Sequence, residues 1–132
     1  MLKLINFTKI YPNGKVGAKD ITLTVCPGDI FAFIGHNGAG KTTTIKSIVG
    51  INDFNSGDIQ INGLSMKEKP LECKKLLAYV PDNPDIYNAL TGIQYINLIA
   101  DIFNVDKTTR TTLTNKYAGM LELDKNLNDP IS

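Results

Sequence analysis

One stretch constrains this chain more than any other: Gly35, His36, Asn37, Gly38, Ala39, Gly40, Lys41 and Thr42 in unbroken order. It has the spacing of a phosphate-binding loop: glycine, any four residues, glycine, lysine, then serine or threonine. A random chain of 132 residues meets that spacing about once in a few hundred. The flanks strengthen the match independently. Ile30, Phe31, Ala32, Phe33 and Ile34 precede it without alternation, which predicts a strand covered on both faces in a parallel sheet. After it, Ile45, Ile48 and Val49 share one face of a helix running from Lys41, and Gly50 falls where a left-handed C-terminal cap belongs.

The residue types suit anion chemistry. Glycines let the backbone curl until successive amides point inward, where a Cβ would obstruct. The helix beginning near Lys41 contributes its positive dipole end. Lys41 is the expected point charge for the β and γ phosphates, Thr42 the expected hydroxyl ligand for Mg²⁺, and Thr43 a further phosphate donor. The plain alternative, a glycine-rich turn without a ligand, does not explain why both flanks fit.

Composition narrows the remaining classes. Lysine plus arginine total 14 against 13 aspartate plus glutamate, and no dense basic run marks a nucleic-acid footprint. Cys26 and Cys73 stand far apart in a chain with one histidine, so neither a zinc site nor a disulfide framework is indicated, and a reducing cytoplasm fits. No run of about 18 apolar residues suggests a membrane span, so any membrane role is expected to act through a partner.

Along the chain, Ile21, Leu23 and Val25 alternate with threonines as in a half-buried strand. Pro27 and Gly28 supply a turn. Ile59 and Ile61 alternate before Asn62 and Gly63, a tight-turn pair. Residues 77–80 are a further short strand candidate, ended by Pro81. Thr91 and Gln94 match a capping box that opens a helix to about Phe103. Its apolar surface is wider than one core face needs, which leaves burial between helices and partner docking both open. Leu113, Tyr117, Met120 and Leu121 mark another helix.

Three segments together, GHNGAGKTTTIKSIVG, NSGDIQINGLSM and AYVPDNPDIYNALTG, resemble the N-terminal part of an ABC-transporter ATPase domain, and the resemblance covers essentially the whole chain. It implies an α/β fold: a P-loop NTPase core of ABC type, an antiparallel β subdomain and the start of a helical subdomain. The division it implies is residues 1–83 for the core with its interleaved β subdomain and residues 84–132 for the helical part. It implies ATP and Mg²⁺ as cofactors, bound by Gly35, Asn37, Gly38, Ala39, Gly40, Lys41, Thr42 and Thr43, with Tyr11 at the end of the first strand stacking on adenine. Asp82 stands where the family has its Q-loop glutamine. Being shorter and charged, it is expected to face the metal with altered geometry, beside Lys41 in a catalytic role.

The resemblance further implies a transmembrane permease partner docking near residues 91–103, a second ATPase subunit in a dimer, and a cytoplasmic position on the inner face of the membrane. A signature motif, a Walker B strand ending in Asp-Glu and a switch histidine are absent from the sequence. Residues 96–101 end in aspartate, but Asn97 interrupts the apolar stretch and the capping box predicts helix there. The chain is therefore expected to bind ATP without hydrolysing it. A non-hydrolytic, nucleotide-responsive binding module and another P-loop enzyme such as a kinase stay open. A GTPase is disfavoured, because no aspartate stands three residues before a glycine and Asn115-Lys116-Tyr117-Ala118 lacks the final acid of a guanine-reading motif.

Overall fold

The computed structural model describes residues 1–81 and 89–131. The chain forms two compact units, Met1–Val80 and Pro81–Ser132.

The first unit is built on an antiparallel sheet of β1 (Leu2–Ile10), β2 (Val16–Val25), β3 (Ser56–Ile61) and β4 (Leu64–Ser65), in the order β2-β1-β3-β4. β1 and β3 are the inner strands; β1 pairs along both edges, with Leu4 opposite Leu23 on one side and Ile59 on the other. The register breaks between Leu4 and Phe7, and Asn6 between them takes a positive φ of 48°. This bulge turns an odd spacing into a shared face, so Leu4 and Phe7 are both buried. Thr22 Oγ1 holds the bulge, accepting the Asn6 amide and donating to Asn6 Oδ1 at 3.0 and 2.9 Å. The Asn62-Gly63 pair makes the expected turn between β3 and β4, both residues at positive φ.

Helix α1 (Lys41–Ile48) packs on this sheet through Thr44, Ser47 and Ile48. Its Ile48 joins Leu4, Phe7, Ile59 and Ile61 in one core with Met66 and with Cys73 from the short helix α2 (Pro70–Lys74). α2 was not legible as a helix: five residues carry too little periodicity. Cys73 is fully buried, its thiol donates to the Leu64 carbonyl, and burial pushes its pKa up.

Two sequence expectations differ from the structure. Residues 30–34 and 77–80 form no strand and no ladder with any described residue. Ile30, Ile34 and Val80 are 102, 93 and 90% exposed. Apolar composition suits a strand, doubly covered in the case of residues 30–34, yet a strand exists only where a neighbour supplies hydrogen bonds and cover. No described segment does so here.

The second unit holds α3 (Gly92–Ile102) and α4 (Lys107–Met120). The capping box at the start of α3 is present in both directions, Thr91 with Gln94. Residues 96–101 are thus helical, as the box requires. Asp106 caps α4 by accepting the Thr109 amide. Arg110 of α4 clamps the pair, donating to Asn97 Oδ1 of α3 and to the Val105 carbonyl and forming an ion pair with Asp101. Apolar surface is exposed toward the end of α3, at Leu98 and Ile102, and at the Phe103 that follows it, with Ile102 at 63% and Phe103 at 55%. No described helix is long and apolar enough to cross a membrane.

Candidate nucleotide-binding site

The loop before α1 is shaped by a tight approach to the sheet. Gly40 caps the helix with φ 90° and ψ 2°, a conformation costly for a residue with a side chain. A Cβ there would also strike the carbonyl oxygen of Gly17 in β2. Glycine is therefore required twice over, by its own dihedrals and by its neighbour.

The start of α1 is electrostatically uncompensated. Gly40 offers no side-chain cap and the first turn holds no acidic residue. Free amides and the dipole end thus favour an anion. Lys41 folds back over the loop, donating from Nζ to the carbonyls of Gly35 and His36 at 2.6 and 2.8 Å. An ammonium has three donors, so both contacts are compatible with a further acceptor. Inside the loop, the Ala39 amide donates to the His36 carbonyl at 3.2 Å, and the Thr44 amide to Gly40 at 2.8 Å.

The other end of the site comes from the β1–β2 hairpin. Its tip is closed by the Tyr11 amide donating to Lys15, the Gly14 amide donating to Tyr11, and the Lys15 amide donating to Asn13 Oδ1. That geometry sets Tyr11 at the edge of a cleft of about 430 Å³. Lys9 places its ammonium 5.4 Å from the centroid of the Tyr11 ring.

The cleft brings together Tyr11, Asn37, Gly38, Gly40, Lys41, Thr42 and Thr43 of the expected site. Gly35 and Ala39 belong to the loop without lining the cleft: Gly35 gives its carbonyl to Lys41, and a Cβ on it would sit 3.2 Å from that of Ala39. Asp82 lies outside the described residues. Sequence reasoning missed Asn13, Lys15, Val16 and Gly17, which complete the lining. The signal for the first two was available, since Asn13-Gly14 is a hairpin-turn pair. Gly17 had none, because the close approach that demands it is tertiary.

Among the described residues the lining carries two lysines, Lys15 and Lys41, and no acidic residue, which suits a polyanion. Among the described residues no group of three or more His, Cys, Asp or Glu could hold a metal alone. A Mg²⁺ ion fits such a site only as the partner of bound phosphates, which together with one protein hydroxyl such as exposed Thr42 form an acceptable oxygen donor set.

Comparison with known proteins agrees with this geometry. The sequence model described as ABC transporter matches residues 18–131. Among curated relatives, the ABC-type transporter ATP-binding protein EcsA of Bacillus subtilis is 36% identical over 91 residues, covering 69% of this chain and 37% of the relative. The phosphonates import ATP-binding protein PhnC of Lactococcus lactis is 41% identical over 81 residues, covering 61% of this chain and 33% of its own length. A solved ATP-binding subunit of an ABC transporter superposes with a TM-score of 0.87 at 28% identity, over 98% of this chain and 54% of that one. The dimeric bacterial ABC transporter cassette MJ0796 shares the fold, with a TM-score of 0.80 at 22% identity. The chain thus spans about a third of the length of these curated relatives and about half of the solved subunit. Its fold is the α/β fold of ABC ATPase cassettes, and the chain belongs to the ABC transporter family, within the ATP-binding part.

Proposed function

We propose that this chain is the ATP-binding part of an ABC-transporter ATPase subunit, and that its cleft holds Mg-ATP with adenine on Tyr11 and the phosphates on residues 35–43. The observation that carries the proposal is the single cleft running from the Tyr11 ring to Lys41, Thr42 and Thr43 at the uncapped start of α1. An aromatic platform and an anion-binding helix end in one cavity match the two ends of a nucleotide.

In this reading Lys41 neutralises β and γ phosphate charge, backbone amides of Asn37, Gly38 and Gly40 cradle the phosphates, joined by that of Ala39 once it exchanges the His36 carbonyl for phosphate, and Thr43 adds a hydroxyl donor. Thr42 would supply a protein ligand to Mg²⁺, which when bound would screen the phosphate charge. Asp82 is assigned the metal-facing Q-loop role. The core with its β subdomain ends at residue 83 and the helical part begins at 84. The complete protein pairs with a second ATPase subunit and docks on a transmembrane permease from the cytoplasmic side. The exposed Leu98 and Ile102 of α3 and Phe103 at its end support docking through that helix.

Hydrolysis requires an attacking water held in line as well as charge neutralisation. The cleft supplies the second, and its described lining residues include no carboxylate or histidine for the first. The purified chain is therefore expected to bind Mg-ATP and release phosphate no faster than background. Steady phosphate release that Lys41→Ala abolishes, from a preparation free of contaminating ATPases, would refute that part of the proposal.

A further inference from the structure

Tyr11, read above as the platform for the base, also touches Thr43 in the first turn of α1. Its hydroxyl lies 3.0 Å from Thr43 Oγ1, across 32 positions of sequence. Gly17 makes the meeting possible. A Cβ at Gly17 would lie 2.7 Å from Tyr11 Cε2 and 2.8 Å from Thr43 Cγ2, closer than such atoms approach. The two side chains thus close over a position where only hydrogen fits, and the Gly17 carbonyl packs on Gly40 beneath them.

The direction of this hydrogen bond follows from the acceptor chemistry of phosphate. A phosphate oxygen only accepts, and a threonine hydroxyl has one proton and two acceptor lone pairs. If Thr43 donates to phosphate, its bond with Tyr11 must run from the phenol. Thr44 shows the competing fate of a helical threonine: its hydroxyl donates one turn back, to the Gly40 carbonyl at 2.9 Å. A phenol proton delivered to Thr43 Oγ1 opposes that rotation and leaves the Thr43 proton for an anion.

We infer that Tyr11 is a positioning residue for the phosphate end of the site: its hydroxyl, donating to Thr43, orients the Thr43 hydroxyl toward phosphate whether or not a base is present. The inference rests on the reading of residues 35–43 as a phosphate site. Ring stacking alone gives Tyr11 no influence on a ligand without a base.

The test is titration calorimetry of the 132-residue chain with magnesium and inorganic tripolyphosphate, a ligand that cannot stack. Tyr11→Phe keeps the ring and removes the hydroxyl, and should weaken tripolyphosphate about two- to tenfold, the worth of one net hydrogen bond. In a Thr43→Val background the same change should have no further effect, whereas in a Thr43→Ser background, which keeps a hydroxyl, the weakening should persist. Should Tyr11→Phe fail to fold, Thr43→Val against Thr43→Ser in the otherwise native chain reads the Thr43 hydroxyl through which Tyr11 is inferred to act, and equal affinities of those two overturn the inference. Equal affinity of Tyr11→Phe and wild type overturns it, as does a Tyr11→Phe loss that survives in full beside Thr43→Val. Lys41→Ala separates the two levels. Tripolyphosphate binding that is absent, or indifferent to Lys41, removes the phosphate site itself. Binding that depends on Lys41 but ignores Tyr11→Phe removes only the role of the hydroxyl.

Discussion

Gly40→Ala against Gly38→Ala weighs how much of the loop's shape comes from its contact with the sheet. Both glycines hold a positive φ, 90° at Gly40 and 87° at Gly38. An alanine in either place incurs roughly 1–2 kcal/mol for the left-handed conformation. About 0.4–1 kcal/mol of that returns through a less flexible unfolded chain. The two sites differ in their surroundings. A Cβ at Gly38 meets nothing within 4 Å, whereas one at Gly40 strikes the Gly17 carbonyl oxygen. Backbone cannot rotate aside as a side chain can, so Gly40→Ala must push β2 and α1 apart, an overpacking cost of about 1–3 kcal/mol. The difference between the variants should therefore be about 1–3 kcal/mol. With a urea slope of about 1–3 kcal/mol/M, Gly40→Ala should unfold at a urea concentration on the order of 1 M lower than Gly38→Ala, followed by far-UV circular dichroism. Coincident midpoints would show that the packing of Gly40 on Gly17 does not constrain the loop.

Two further outcomes test other parts of the account. Hydrogen bonds from Thr109, side-chain first and backbone second, hold the Asp106 carboxyl below its ordinary value of 3.8. Because the folded value is the lower one, the capping contribution is fully present above the unfolded value and is lost as pH falls through the folded one. Asp106→Ala should therefore lower the urea midpoint at pH 7 and lose that difference in strongly acidic buffer, and a difference independent of pH would contradict the assignment. Asp82→Asn should change the magnesium dependence of ATP binding, since only the ionised group is a strong hard-oxygen ligand. An unchanged magnesium titration would return Asp82 to a turn residue.

What was legible in the sequence was what depends on local chemistry. The turn into α1, the Asn62-Gly63 turn, the capping box at Thr91 and the two helices of the second unit all rest on residues close in sequence, and each forms as read. Residues 30–34 and 77–80 read as strands because apolar composition reports a wish for cover, but a ladder depends on a distant partner that no sequence window contains. The site divides along the same line. The loop residues follow from their spacing. Tyr11 entered through the family resemblance, and the Gly17 contact became visible only when β2 was laid against α1, because its cause lies in two segments more than twenty positions apart. Arg110 escaped notice for a similar reason: nothing around it in sequence announces a clamp on α3.

The central claim is that this chain binds Mg-ATP through the loop that ends in Lys41 and Thr42, and titration calorimetry of wild type beside Lys41→Ala measures it directly. Lys41 lines the cleft and, among the described residues, donates to carbonyls of its own loop. Its removal should therefore leave the fold intact by circular dichroism while removing a charge-assisted contact to phosphate. Such contacts are worth roughly 1.5–3 kcal/mol, so the variant should bind Mg-ATP about ten- to a hundredfold more weakly. Equal affinities of the two folded proteins would contradict the account.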